Sequence, residues 1–393
     1  MAVYPKPPRR RTRLRRLLPG LLLVVAVGAV SGCHTLSFYG QAIKGQYQLL
    51  VHERSIQKLR SDPETPAPLK ARFELLEQLR GFAAEELKLP VDNHYRKYVD
   101  VHRPFVVWNV EAAPEFSLEA RTWWYPLVGS LEYRGYFSLR GATNYAAYLR
   151  RKGYDVSVGG VQAYSTLGWF KDPVLNTFIF EPDAELAEII FHELSHQRVF
   201  AHGDTDFNEA FATSVGEEGA RRWLKARGNA AALEQYLAHL RRNRQFVRLV
   251  MATRARLETL YGDTVAEGGR VKASPKNHHV TAADLRRQKL QLLEEMKSEY
   301  ARLKATWDGD TEFDGWFVRQ VNNASLNSVA TYYDLVPGFD RLLARGGGDL
   351  EKFYVAARAL SKKSKRERQE ALTRLAEQVG TGVKTAGALD KRG

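Results

Sequence analysis

The stretch DAELAEIIFHELSHQRVF, which occupies residues 183–200, carries the strongest signal in the sequence. It begins with an acidic residue directly after Pro182, and both features are typical of the first turn of a helix. Its larger apolar residues recur at spacings that suit a buried helix face, namely Leu186, Ile189, Ile190 and Leu194. The stretch therefore predicts a buried helix, on which His192 and His196 stand one turn apart.

The two histidines and Glu193 form an H-E-x-x-H motif. Side chains four residues apart on a helix lie one above the other, so both imidazoles can bind a single metal ion. Glu193 is turned to one side of the pair, where its carboxylate can take a proton from water without binding the metal. The motif therefore predicts a metal-dependent hydrolase in which His192 and His196 are ligands and Glu193 is the general base.

The third metal ligand has two candidates, because a catalytic zinc site needs a third protein ligand and an open position for water. His202 follows His196 at the distance found in metzincins, but Val199 occupies the position of the glycine at which the chain turns in that class. Glu209 opens a second helical segment after a turn at residues 203–204, and packing of the two helices would bring it to the histidines. From the residues alone, both candidates stay open.

The composition limits the class of protein. A chain of 393 residues is expected to form two to three domain-sized units or one large mixed domain. Its 44% hydrophobic and 26% charged residues exclude a mostly disordered chain and a multi-span membrane protein. The single cysteine, Cys33, excludes an internal disulfide and a cysteine-based metal cluster. Any metal site must therefore use histidine and carboxylate side chains.

The N-terminus predicts an export signal. Seven of the basic residues lie within residues 1–16, ahead of an apolar run at 17–30 that is short for a membrane span. The sequence VSGC at residues 30–33 resembles a bacterial lipobox, in which Gly32 precedes the cut and Cys33 becomes the lipidated first residue. Without those seven charges the net charge falls from +14 to +7 (14 − 7), so we expect no nucleic-acid partner. An ordinary signal or anchor helix is the alternative.

The remaining chain predicts an α+β fold, with a small sheet before the metal-binding helix and a largely helical C-terminal half. Aromatic and β-branched stretches predict strands at 105–110, 123–125, 154–158 and 174–180. The expected organisation is a signal peptide with lipobox at 1–32, an N-terminal helical hairpin at 33–90, a peptidase core at 91–230, a helical subdomain at 231–360 and a basic flexible tail at 361–393.

The segment HELSHQ at residues 192–197, followed by NEAFA at 208–212, resembles the gluzincins. Zinc enzymes of the aminopeptidase N type in that group carry HELAHQ and then NEGFA. The resemblance implies a gluzincin-like core in which His192, His196 and Glu209 bind Zn²⁺ and Glu193 is the base. The connection between His196 and Glu209 is shorter here than in those enzymes.

From Cys33 onward the chain also resembles a family of bacterial lipoproteins that are predicted to be zinc aminopeptidases. The similarity lies in YRGYF at 133–137, VGGVQAYSTLGWF at 158–170, the zinc motif, and a block from Asn322 to Tyr333. It implies a peptide substrate and a protein anchored to the bacterial envelope by its N-terminal lipid. The side of the outer membrane that faces the periplasm is favoured, because His34 is not the aspartate associated with retention at the inner membrane.

Substrate-binding residues are expected from the way gluzincins hold peptides, as an added strand along an exposed sheet edge. Residues 160–168 are small and β-prone, which predicts this edge with Gly160, Ala163 and Tyr164 as substrate contacts. Tyr332 or Tyr333 is expected to stabilise the oxyanion, since gluzincins use a Tyr or His for that purpose.

Further polar residues follow Glu209 along the second helix. Thr213 lies one turn on and is a candidate to steady a ligand, while Glu217 and Glu218 are candidates to hold the free amine of a substrate. Two alternative functions stay open, a zinc endopeptidase of the envelope and a non-catalytic envelope scaffold. The intact Glu193 argues against the scaffold, because a purely structural site needs no base beside its ligand.

Overall fold

The structure is a computed structural model that describes residues 38–125, 129–163, 171–262 and 281–386, together with two short strands at 265–267 and 270–272. The predicted signal peptide at 1–32, Cys33 and Tyr164 lie outside the described residues. The chain divides into two compact units, Met1–Val51 and His52–Gly393. Of the helices in the described ranges, none has both the length and the apolar character needed to cross a membrane.

The first unit contributes one described helix, α1, at residues 38–51. The second unit contains the strands and most of the helices. The strands are β1 (Arg54–Ser55), β2 (Lys97–Val99), β3 (Val107–Pro114), β4 (Trp123–Tyr125), β5 (Gly129–Leu131), β6 (Tyr133–Tyr136), β7 (Tyr154–Val161), β8 (Val174–Leu175), β9 (Val265–Glu267) and β10 (Arg270–Lys272).

The helices of the second unit are α2 (Ile56–Ser61), α3 (Ala67–Glu85), α4 (Leu139–Arg151), α5 (Asp183–Ser195), α6 (Thr205–Ala226), α7 (Ala230–Tyr261), α8 (Ala282–Lys304), α9 (Asp314–Val318), α10 (Asn323–Tyr333), α11 (Val336–Arg345), α12 (Leu350–Ser361) and α13 (Lys365–Ala386). The prediction of a mixed α+β fold with a largely helical C-terminal half is confirmed. The sheets are small, and most of them precede α5 in the chain.

The sheet that matters for the site has the strand order β6-β3-β7 and is antiparallel throughout. Its central strand, β3, pairs Glu111 with Tyr133 on β6 and with Ser157 on β7. Val110 and Ala112 are buried on one face of β3, where α4 packs, whereas Glu111 belongs to the other face.

The predicted strand at 174–180 is wrong beyond its first two residues. Only Val174 and Leu175 form a strand, β8, which pairs in parallel with β2. The chain then turns, because the amide groups of Phe178 and Ile179 donate to the carbonyl oxygen of Leu175. Phe178 and Ile179 are buried by packing, so their apolar character reflects the core and does not indicate a strand.

The C-terminal half is held by an apolar cluster between α7 and α8, in which Phe246 and Leu257 on α7 pack with Leu293 and Met296 on α8. Helix α7 is the longest of these helices, and its buried residues, which include Tyr236, Leu240, Val250 and Leu257, recur at helical spacing.

The sequence predicts a basic flexible tail at 361–393. In the structure, residues 365–386 of this segment form helix α13, which packs on α11. Leu372 in this helix is fully buried. It fits because Gly338 on α11 has no side chain, and a Cβ there would lie 2.5 Å from the carbonyl oxygen of Leu372. This segment contains few apolar residues and many charged ones, so its sequence alone predicts a solvated helix. The predicted domain boundaries themselves stay predictions.

Candidate metal centre

Helix α5 carries the H-E-x-x-H motif. Asp183 and Glu185 lie in its first turn, where carboxylates interact favourably with the helix dipole. The predicted apolar face is buried through Leu186, Ile190 and Leu194. Helix α5 ends at Ser195, earlier than the predicted Phe200, and His196 is its C-cap residue. The imidazole ring centroids of His192 and His196 are 5.0 Å apart, with the ring planes at 82°.

The chain then reverses direction within a short loop. The side-chain amide of Asn208 clamps this loop, since its Oδ1 accepts from the amide of Ala201 at 2.7 Å and its Nδ2 donates to the same residue's carbonyl oxygen at 2.8 Å. Asp204 caps α6 by accepting from the amide of Phe207 at 3.3 Å. Both contacts fix the first turn of α6, which carries Glu209.

Helices α5 and α6 pack against each other so closely that Glu209 reaches both histidines. Oε2 of Glu209 lies 3.3 Å from Nε2 of His192 and 3.7 Å from Nε2 of His196. The three candidate ligand atoms all lie within 4.8 Å of one another. A single metal ion can be bound by donors this close, and the set of two imidazoles and one carboxylate is typical of catalytic zinc sites.

His202 does not belong to this group of ligand atoms. It is exposed, and its imidazole lies against Gly129, where a Cβ would be 2.7 Å from Cε1 of the ring. Gly129 has a φ of +83°, a conformation that glycine tolerates. Of the two candidates for the third ligand, the structure therefore brings Glu209 to the histidines.

The charges at the site suit a metal ion. Burial lowers the pKa of His196 to about 4, so its imidazole is neutral near pH 7 and offers a lone pair. Burial alone would raise the pKa of Glu209, but His196 and His192 outweigh it and hold the pKa below its ordinary value. The pKa of His192 is raised despite its burial, because it hydrogen-bonds Glu209 and feels the charge of Glu193. A metal ion would replace the proton on His192.

Glu193 is buried beside these ligands, and within the described part of the chain its Oε2 has no hydrogen-bond partner. Burial raises its pKa to about 8, an effect that His192 opposes and that Glu209 and Asp172 strengthen. A cation bound nearby would lower this pKa again. The carboxyl group is therefore placed to exchange a proton near neutral pH.

Tyr332 lies beside the candidate ligands, with its ring centroid 6.4 Å from that of His192 and the ring planes at 29°. The charge of Glu209, followed by burial, raises its pKa well above the ordinary value. Tyr332 therefore stays protonated and can donate a hydrogen bond. Tyr333 points elsewhere, since it hydrogen-bonds Asn243 and interacts with Glu188 and Glu217.

Helix α10, which carries both tyrosines, is fixed to the end of β3 at its N-terminus. Asn322 forms a capping box with Ser325. The next residue, Asn323, is fully buried, and its side-chain amide contacts the carbonyl oxygens of Pro114, Glu115 and Ser117, each at 3.0 Å. These contacts explain why the asparagine pair precedes the tyrosine pair in the sequence.

The predicted substrate edge lies partly within the described residues. Strand β7 is an outer strand of its sheet, as a substrate edge requires. Its carbonyl oxygens at Val156 and Val158 already accept from Asn322 at 3.3 Å and Arg319 at 2.9 Å. Gly160 is covered by the ring of Phe105, which a Cβ would approach to 2.3 Å, and Ala163 is half-buried. Substrate binding by Gly160, Ala163 and Tyr164 stays a prediction.

The polar candidates further along α6 have partners of their own. Glu217 lies 3.3 Å from Arg244, and Glu218 lies 2.6 Å from Arg222. Thr213 is buried one turn after Glu209. Neither glutamate is free to hold a substrate amine.

Two residues near the centre had no role in the sequence analysis, Tyr133 and Glu111. Burial, and then the charge of Glu209, raises the pKa of Tyr133, the first residue of β6. Glu111 stands opposite it on β3. A lone acid within the apolar stretch at 106–113 is a signal that could have identified Glu111.

Of the comparisons with known proteins, the one with protein families found a match, and the matched range includes all residues of this site. A family model described as "Putative aminopeptidase" matches residues 37–372. No curated protein and no solved structure matches the chain. The matched range includes α5, α6 and α10, which together supply the three candidate ligands and Tyr332.

Proposed function

The chain belongs to the family described as "Putative aminopeptidase", and we propose that it is a zinc-dependent peptidase. The observation that carries the proposal is the convergence of His192, His196 and Glu209 within 4.8 Å. Two imidazoles and a carboxylate form the ligand set of a known class of catalytic zinc sites, which leave a fourth position open for water or substrate. This set, with Glu193 beside it, supports a gluzincin-like core.

A zinc ion held by these residues would polarise the scissile carbonyl and make water acidic enough to attack at neutral pH. Glu193 accepts the proton of the attacking water and returns it to the leaving amine. Its buried position and unpartnered oxygen support this role, since nothing in the described residues competes for that lone pair.

Tyr332 donates a hydrogen bond to the oxygen that becomes negative as water adds to the carbonyl. Two observations support this role: its ring stacks on His192, and its raised pKa keeps the proton on the oxygen. A preorganised donor of this kind lowers the barrier because it is already oriented before charge develops.

The family description favours an aminopeptidase, which removes residues from the free N-terminus of a peptide. An endopeptidase with the same metal site is the alternative within the enzyme class. A non-catalytic scaffold is disfavoured, because such a protein has no need of a buried, unpartnered Glu193 beside three converging ligands.

Anchoring to the envelope is part of the proposal and rests on the sequence. The basic, apolar and VSGC segments of residues 1–33 support lipidation of Cys33 and a position on the periplasmic side of the outer membrane. The peptide substrate is then a peptide of the periplasm.

The proposal is tested by metal analysis of the full-length protein in detergent, with peptide hydrolysis measured in parallel. We expect about one zinc per chain, bound by the chelating pair of histidines, and loss of that zinc in the His192→Ala, His196→Ala double variant. Glu193→Gln should keep the zinc and lose turnover, because it removes a proton acceptor and no ligand. Full activity in Glu193→Gln would exclude the mechanism, and zinc retained in the double variant would exclude the site.

A further inference from the structure

Glu111 is an acidic residue in the middle of the central strand β3, between the buried Val110 and Ala112. Throughout the described ranges of the chain, its carboxylate forms no hydrogen bond and no ion pair. Glu111 is half-buried. A carboxylate that is partly removed from water without a cation is destabilised, and a cation that arrives from solution would relieve that cost.

The carboxylate faces a small cavity between β3 and α10. Its polar lining includes Glu111, Glu132, Tyr133, Asn327, Ser328 and Tyr332. The cavity has a volume of about 10 Å³, which is the space needed for one group the size of a water molecule. An ammonium group has that size, whereas a guanidinium group does not fit.

The cavity adjoins the candidate metal centre through two tyrosines. Tyr332 lines it and also stacks on His192. Tyr133 lines it too, and the charges of Glu209 and Glu193 both act on its phenol. A group bound at Glu111 is therefore a close neighbour of whatever is bound at the metal.

The cavity is acidic, and the cations near it have partners of their own. Arg254 donates to Asn327, which lines the cavity, at 2.9 Å. Glu132 lies 3.3 Å from Lys365, and the same lysine lies 3.1 Å from Asp206. Burial and the charge of Glu132 raise the pKa of Glu111 to about 8. A bound ammonium group would stabilise the ionised form.

We propose that Glu111 binds the α-ammonium group of the substrate and thereby places the first peptide bond at the metal centre. The inference rests on the proposed zinc peptidase function and deepens it, because it makes the enzyme an exopeptidase for peptides with a free N-terminus. Its substrates exclude peptides whose amine is acetylated or formylated, since the neutral amide offers no cation and is too large for the cavity.

The first experiment compares a short peptide with its N-acetylated form, using full-length zinc-loaded protein in detergent. The unmodified protein should cleave the free peptide at least about 100-fold more efficiently. Glu111→Gln should lower kcat/KM for the free peptide about 10- to 100-fold, the range expected when a charged hydrogen bond is lost. The rate on the acetylated peptide should not fall, and Glu111→Asp should restore part of the preference.

Glu115→Gln is the matched control, because Glu115 closely follows β3 and is paired with Arg286. It makes the same chemical change outside the cavity and should leave the preference unaltered. Equal cleavage of free and acetylated peptides by the unmodified protein would overturn the role of Glu111 while leaving a zinc peptidase in place.

A second experiment measures binding without turnover, in zinc-loaded Glu193→Gln protein. The free peptide should bind at least about 10-fold more tightly than the acetylated one, and Glu111→Asp in this background should reduce the difference. Equal binding of the free and the acetylated peptide would overturn the proposal. This test does not require Glu111→Gln to fold. If zinc-loaded unmodified protein cleaves neither peptide, the proposed function fails. The difference in binding between the free and the acetylated peptide still tests whether Glu111 binds the amine.

Discussion

Gly216 on α6 faces the Cβ of His192 on α5, and a side chain at this position would be crowded between the two helices. A Cβ at Gly216 would lie 3.3 Å from that atom and 3.0 Å from the carbonyl oxygen of Glu188. Gly216 lies two turns after Glu209, on the same face of α6. The close approach of the two helices at this glycine is what allows Glu209 to reach the histidines.

Gly216→Ala should weaken zinc binding about 10-fold, because the added methyl group forces α5 and α6 apart by a few tenths of an ångström. Overpacking typically lowers stability by about 1–3 kcal/mol, and the higher helix propensity of alanine offsets up to about 1 kcal/mol of this. Competition with a zinc chelator measures the affinity. Gly81→Ala on α3 is the control, since open space surrounds that position. Unchanged affinity in Gly216→Ala would show that helix spacing does not set the site.

Glu209→Gln should reduce zinc affinity well beyond the roughly 10- to 100-fold typical of residues that only support a ligand, because it removes a negative charge that contacts the metal. His202→Ala should leave the zinc content unaltered, because His202 is exposed and lies outside the group of ligand atoms. Zinc titration of both variants measures the difference. The reverse result would identify His202 as the ligand.

Tyr332→Phe should lower kcat about 10²- to 10³-fold, the usual loss when one oxyanion donor is removed, and should leave zinc content and KM nearly unchanged. Tyr333→Phe is the matched control on the neighbouring residue. It removes a hydrogen bond to Asn243, so it should cost about 1 kcal/mol of stability and leave kcat alone. Steady-state kinetics at matched zinc loading separates the two, and equal losses in kcat would remove Tyr332 from the mechanism.

Arg368→Ala should lower the free energy of unfolding by about 3 kcal/mol, because it removes the buried cation beside Asp204 and leaves only the more exposed Lys365, 3.8 Å away. Nε of Arg368 lies 2.8 Å from Oδ2 of Asp204, and both side chains are inaccessible or nearly so. The control is Arg366→Ala, since Arg366 is exposed and its pair with Glu370 at 3.8 Å should contribute less than about 1 kcal/mol. Denaturant unfolding measures both variants. Small and similar losses of unfolding free energy in the two variants would mean that α13 does not stabilise the first turn of α6.

Cys33→Ser should release the protein from membranes, because it removes the thiol that would carry the lipid. Fractionation of cells that express the unmodified chain and the variant measures this, with an antibody to the protein. Unmodified protein in the soluble fraction after lysis would contradict lipid anchoring, without bearing on the metal site.

Local periodicity was enough to predict α5, the helical segment at Glu209 and the convergence of His192 and His196, because residues four apart on any helix share one face. It misled at 174–180, where buried apolar residues form a turn, since burial alone does not distinguish a strand from a packed loop. At 365–386 the local pattern did not indicate burial, because the few buried leucines of this segment lie among many charged residues.

Which residues share one turn or one strand follows from local sequence, and this was enough to predict the candidate chemistry of His192, Glu193 and His196. The choice between partners that lie far apart in the chain required the packed structure. This structure brought Glu209 rather than His202 to the histidines, and Tyr332 rather than Tyr333. Such choices depend on how closely and at what angle helices pack, as where Gly216 on α6 approaches Glu188 and His192 on α5, and no local pattern contains these contacts.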